Sequence, residues 1–423
     1  MRRLLAAAVL PAIVAAACGS AGQDLSPTGS TSPAATRASD TLVLGGADRT
    51  TVIDASGRLV ADLGHVIGAP GWTTAFATEI DTAGNTAVRV IDARTGQTTR
   101  TTQLAGRWAP VAEYGNAPSG LSPSGRWLVL ADPRPDRTAF QVIDTTGKVQ
   151  PKRIDIPGRY SFDAVADNGE SLYLVERLQG TQYRVRVADI PSGSLVPGSV
   201  IDLKQISGTT ADENGVMNGS YTTATAGPNG DWYFSVYQHP TKGPYIHALN
   251  TSARIAECIL DLPTFGNAGA VEMAKQPFWS LALGKQQLTS RLYAVNGALG
   301  RLALVDPYEI KVMKSATFKV PAPAPGPVAF APQNGAAVSP DGYRLYALGE
   351  KGIFLIDTTD LSLRATFEQT TAFRGLAVSA DNATLYALAA DGSSVAILDA
   401  RTGRPTTTLR LASAADSIAI QKP

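Results

Sequence analysis

Val338-Ser339-Pro340-Asp341-Gly342-Tyr343-Arg344-Leu345-Tyr346-Ala347 is the stretch from which this chain is best read. Ser-Pro-Asp-Gly is a tight-turn sequence, because Pro presets φ at the first turn position and Gly accepts positive φ later. The apolar run after it, Leu345–Leu348, predicts a strand that pairs back across the turn. A third strand follows and ends on an acidic residue, in Leu355-Ile356-Asp357. The same order recurs along the chain.

Turn sequences stand at Ser122-Pro123-Ser124-Gly125, Ala166-Asp167-Asn168-Gly169, Gly227-Pro228-Asn229-Gly230 and Ser379-Ala380-Asp381-Asn382. Apolar runs follow at Trp127–Leu130, Leu172–Val175, Trp232–Val236, Leu292–Val295 and Leu385–Leu388. Acidic or amide corners fall at Asp54, Asp92, Asp144, Asp189, Asn250, Asp306, Asp357 and Asp399, at intervals of 38 to 61 residues. Each unit reads strand A, tight turn, strand B, loop, strand C with the corner, turn, strand D. An Asp after a strand caps the backbone N–H groups of the next turn, so the corners are structural. Helical periodicity is absent over any long window, which makes the chain all-β.

Val338–Ala347 and Val378–Ala387 resemble repeats of YVTN-type β-propellers and their WD-repeat relatives. The resemblance implies a single propeller of four-stranded blades over residues 41–423. Eight blades is the motif count, and seven follows if the first two corners share a blade. Ser417-Ile418-Ala419-Ile420 is an apolar strand with no partner after it. It is expected to close the ring as strand A of the first blade, beside Thr41–Leu44, which removes the open edges. Pro321–Pro332 reads as a long loop between blades.

Ahead of the repeats, Met1–Cys18 places Arg2 and Arg3 before the apolar run Leu4–Ala17. That run is shorter than the ~20 residues a bilayer span needs, so it reads as a signal peptide over residues 1–17. Ala15-Ala16-Ala17-Cys18-Gly19 resembles the lipobox of bacterial lipoproteins, which implies lipidation of Cys18. A plain secretory peptide cut at Ala-x-Ala is the alternative. Residues 18–40 are rich in Ser, Thr, Pro and Gly and predict a disordered tether. The expected location is the cell membrane, lipid-anchored, on the extracytoplasmic side.

Composition narrows the function. The 423 residues carry 37 Lys+Arg against 36 Asp+Glu, and losing Arg2 and Arg3 leaves 35 basic side chains. Such a balance gives no nucleic-acid signature. Two cysteines and three histidines argue against a disulfide framework or a His-rich metal centre. No nucleophile elbow, P-loop or paired Cys-x-x-Cys is present, and neither cofactor nor metal is expected. His239 and His247 flank a hairpin without an evident third ligand. Asp212–Gly219 departs from the EF-hand template. Cys258 alternates with Leu260 and Leu262, which predicts a buried, inert thiol.

In a propeller, the D–A and B–C loops crowd one face around the central channel. Cations lie close to aromatics before several A strands: Arg107-Trp108 with Tyr114, Arg159-Tyr160, Lys275 with Trp279, and Phe373-Arg374. Convergent loops would make these a ligand-binding ring, since aromatic faces suit sugar rings and cations while Arg forks suit carboxylates or phosphates. Alternatively the aromatics plug gaps between blades. The expected function is a binding or interaction module for an envelope protein, a glycan or a small ligand. A propeller-type hydrolase, lyase or dehydrogenase acting on the channel face is the alternative.

Overall fold

The computed structural model describes residues 40–47, 49–111, 120–202, 215–263, 273–321 and 331–422. The signal peptide, Cys18 and the tether lie outside them, as do Tyr114, residues 212–214, most of the Pro321–Pro332 loop and the side chain of Cys258.

Eight sheets follow one another along the chain, each built on four antiparallel strands from the inner A to the outer D. Blade 2 shows the order: Ile67–Gly68, Thr74–Ile80, Thr86–Asp92 and Gln97–Leu104. Blade 7 runs Ala336–Val338, Arg344–Leu348, Ile353–Asp357 and Leu363–Phe367. Eight blades is therefore the count, not seven. Blade 1 takes its inner strand from the far end of the chain: Ser417–Ile420 pairs antiparallel with Thr41–Gly45, Leu42 opposite Ile420 and Gly45 opposite Ser417. Two blades depart from four strands. Met217–Asn218 adds to blade 4 through Gln182 and Tyr183, and Ile201–Asp202 lies parallel to the outer strand of blade 5. The helical content of the described residues is confined to one turn before blade 6, around Gln276–Phe278.

Why the B strands read as unbroken apolar runs is plain from the packing. Successive side chains point to opposite faces of a strand, and both faces of each blade are covered by a neighbour. In blade 7, Leu345 and Ala347 face blade 6 while Tyr346 and Leu348 face blade 8. In blade 1, Leu42 and Leu44 pack on blade 8 and Val43 packs on blade 2. The described residues form eight such buried clusters, one at each junction of successive blades, including that between blades 8 and 1.

Tyrosines in the B strands latch several junctions. Tyr173 Oη donates to the Thr251 carbonyl at 2.6 Å, and Tyr346 Oη to the Ala400 carbonyl at 2.6 Å. Tyr386 Oη donates to Asp40 Oδ2 at 2.9 Å, across the closing junction. Burial pushes the Tyr173 and Tyr346 hydroxyls up to about 12, so both stay donors. The corners behave as Asx-turns. Asp54 Oδ1 accepts the N–H of Ser56 at 2.9 Å and of Arg58 at 3.0 Å; Asp357 Oδ1 accepts that of Thr359 at 2.8 Å. Asn250 does the same with Ser252 and Ala253, which explains why an amide replaces the acid there.

Candidate ligand-binding site at the channel mouth

A cavity of about 660 Å³ opens where the first, second, third and eighth blades approach the axis. Its volume lies in the range of about 300–1,000 Å³ usual for small-molecule sites. Its wall includes the B–C loop of blade 1 (Gly45 to Thr50), the D–A connection His65-Val66, and Arg374 and Ser417 at the starts of two A strands. These are the loops that share one end of a propeller.

The rim is stitched together across blades. Asp416 N–H donates to the Gly45 carbonyl at 2.6 Å, and Gln333 N–H to the Arg374 carbonyl at 3.0 Å. Asn334 Nδ2 reaches the Ile418 carbonyl at 2.8 Å. Gly45 lets the closing strand come close: a Cβ there would stand 2.6 Å from Ser417 Oγ, which would have to rotate away.

Two features give the cavity its chemistry. Arg374 Nη1 and Asp416 Oδ1 form an ion pair at 2.7 Å, the Arg side chain mostly buried and the carboxylate half exposed. Trp72 lines the same cavity. It follows Ala69-Pro70-Gly71 in the A–B turn of blade 2 and adopts φ of 56°, uncommon for a bulky residue. Its N–H donates to Ala69 O at 2.8 Å, and its carbonyl accepts Gln421 Nε2 at 2.6 Å. The turn folds the indole back over Gly68. Three carbons of its six-membered ring would each lie 2.5 Å from a Cβ there, so the glycine sits under the ring face. Trp72 is partly buried against the cluster between blades 1 and 2 and also lines the cavity.

The cation–aromatic pairs divide between packing and surface. Trp108 is 2% exposed, between blades 2 and 3, its indole N–H on the Ala105 carbonyl at 2.9 Å. Trp279 is buried between blades 5 and 6 and donates to Gln276 Oε1 at 2.7 Å. Phe373 is buried between blades 7 and 8. Lys275 is buried in an ion pair with Glu350. Tyr160 is half-buried against the junction of blades 3 and 4, and Arg107 and Arg159 are exposed. Of the described members, Arg374 lines the cavity, beside Trp72, His65 and Asp416, which no pattern in the sequence marked. Tyr114 lies outside the described residues.

A second group of interest lies on the inner strand of blade 4. Asp163 occupies a β-bulge between Phe162 and Ala164. Burial pushes its carboxyl up to about 6, with Arg177 acting to lower it. Tyr221, on the inner strand of blade 5, is in electrostatic reach of it and has its hydroxyl buried without a hydrogen-bond partner among the described residues. The rings around it stack closely: Tyr183 on Tyr237 at 4.6 Å and Tyr221 edge-on to Tyr237 at 5.7 Å. His239 and His247 do not oppose each other, since His239 pairs with Gly243 and His247 with Ser235. No three metal-ligating side chains cluster among the described residues.

No family profile and no curated protein matches the chain. Among solved structures, apo AztD from Citrobacter koseri is similar, with 14% identity over 90% of this chain and 97% of that one, at a TM-score of 0.52. The dihydro-heme d1 dehydrogenase NirN, solved in complex with DHE, is similar at 14% identity over 88% and 73%, with a TM-score of 0.53. At such identity the likeness is one of fold, and the fold is that of an eight-bladed β-propeller.

Proposed function

We propose that this protein is a membrane-anchored extracytoplasmic lipoprotein whose propeller is a binding module, holding its ligand at the channel mouth. The anchor rests on the lipobox-like Ala15-Ala16-Ala17-Cys18 and the polar tether after it. The observation that carries the binding reading is the cavity itself: a site of small-molecule size lined by an Arg–Asp pair and a tryptophan. A convergence of few polar groups with an aromatic wall is the usual make-up of such sites. The test is a thermal-shift screen of envelope extracts and polar metabolites against wild type and Arg374→Ala. Stabilisation that disappears in the variant supports the reading. Ligands that stabilise both proteins equally refute it.

A hydrolase or lyase acting in the channel is a second reading, favoured by Asp163. A general acid works best with a pKa near the operating pH. Turnover of any envelope substrate that vanishes in Asp163→Asn, while ligand binding at the mouth persists, would select it.

A further inference from the structure

We infer that the guest of the channel-mouth cavity is a pyranose-type sugar, seated with one ring face on Trp72 and two adjacent hydroxyls bridging Arg374 and Asp416. The inference rests on the binding reading above and assigns its ligand class. Three observations carry it.

The first is the indole. With Gly68 beneath one face, Trp72 is held as a flat plate, and its backbone is fixed by Ala69 and Gln421. The slightly positive C–H groups on a sugar ring's apolar face suit the electron-rich face of an aromatic ring. The second is the charge balance. Arg374 is already neutralised by Asp416 at 2.7 Å, so the pair offers no net charge to select a free anion or cation. It does offer donors beside acceptors. A vicinal diol can accept from the guanidinium with one oxygen and donate to the carboxylate with the other, and both bonds are charge-assisted. The third is the remaining wall. Thr50, Ser417 and Gln333 supply hydroxyl and amide groups to a wall that also holds apolar residues such as Val66 and Val111, a mixed lining that suits a guest with a polar rim and apolar ring faces. A hydrogen-bonding site rejects analogues that leave its polar groups unpaired.

The experiment is calorimetric titration and saturation-transfer NMR on the full-length protein. The probes are methyl glucopyranoside, N-acetylglucosamine and methyl glucuronide, with succinate, inorganic phosphate and tetramethylammonium beside them. At least one pyranoside should bind, weaken by about tenfold or more in Trp72→Ala and in Asp416→Asn, and bind appreciably to Trp72→Phe. Should Trp72→Ala fail to fold, the exposed Asp416 and the Trp72→Phe comparison keep the test decisive. Pyranoside binding indifferent to Trp72 and Asp416 would overturn the assignment. If succinate or phosphate binds through Arg374 and no pyranoside does, the sugar assignment falls and the binding site stands. If no probe and no envelope-extract ligand depends on Trp72 or Arg374, both fall.

Discussion

Replacing Asp163 by Asn should change how stability varies with pH, and the size of the change can be worked out. The Asp163 carboxyl rises from 3.8 to about 6 on folding because burial disfavours its charged form. A raised pKa means that the folded state prefers the proton. The associated stability is present in full below about pH 3.8 and is lost as pH climbs through about 6. A shift of ~2 units corresponds to about 3 kcal/mol between the two limits, and about 1.5 kcal/mol of it falls between pH 5 and pH 8. Asn cannot titrate, so its curve lacks this loss. Other buried acids, Asp40 among them, are common to both proteins and cancel in the difference. The assay is urea unfolding of wild type and Asp163→Asn at half-unit steps from pH 5 to pH 8. The variant should gain ~1.5 kcal/mol on wild type across that range, whatever constant offset the amide introduces. Parallel pH profiles would refute the account, since they would mean that the carboxyl is solvated in the folded protein.

Other outcomes follow from the packing and the leader. Tyr346→Phe removes the donor to the Ala400 carbonyl and should cost about 1–2 kcal/mol in urea melts, leaving a buried acceptor short of its partner, whereas Tyr343→Phe, on an exposed ring, should cost nothing measurable. Gly403→Ala places a Cβ 2.1 Å from the Phe367 ring at φ of 67°; a loss of about 2 kcal/mol or more is expected, read as a lowered Tm. Deleting residues 417–423 uncovers the inner edge of blade 1 and the junction with blade 8, and should yield aggregates by size-exclusion chromatography rather than a monodisperse propeller. Cys18→Ser should release the protein from the membrane fraction; unchanged retention on a gel of fractions would contradict acylation.

What the sequence disclosed and what it hid follow from strand length. Corners and Pro/Asn–Gly turns mark strands B and C, because both faces of those strands are buried and their apolar runs are long. The inner strands of blades 2 and 3 are two residues each, Ile67–Gly68 and Ala109–Pro110. No periodicity can declare itself over two residues, and the inner strand of blade 1 comes from Ser417–Ile420, so the first two corners could be read as sharing a blade. The extra pairings of Ile201–Asp202 and Met217–Asn218 are likewise too short to be seen. Arg374 stood out as a cation at the start of an inner strand. Trp72 did not, since its place depends on a left-handed turn after Pro70-Gly71 that brings it over Gly68, and no other blade repeats that turn sequence. Asp416 meets Arg374 because the closing strand runs beside blade 8, a neighbour relation invisible without the ring.

The carbonyls of Gly71 and Trp72 are held by Lys422 and Gln421, the first through its backbone N–H at 2.8 Å. Residues at the closing strand's far end therefore buttress a wall built much earlier in the sequence, Trp72 standing 349 positions before Gln421. Blades 2 to 8 can stack without the closing strand, yet the wall of the cavity is complete only once that strand docks. Occupancy of the mouth would then report that the circle has been joined, so an unfinished or clipped polypeptide would be silent as well as unstable.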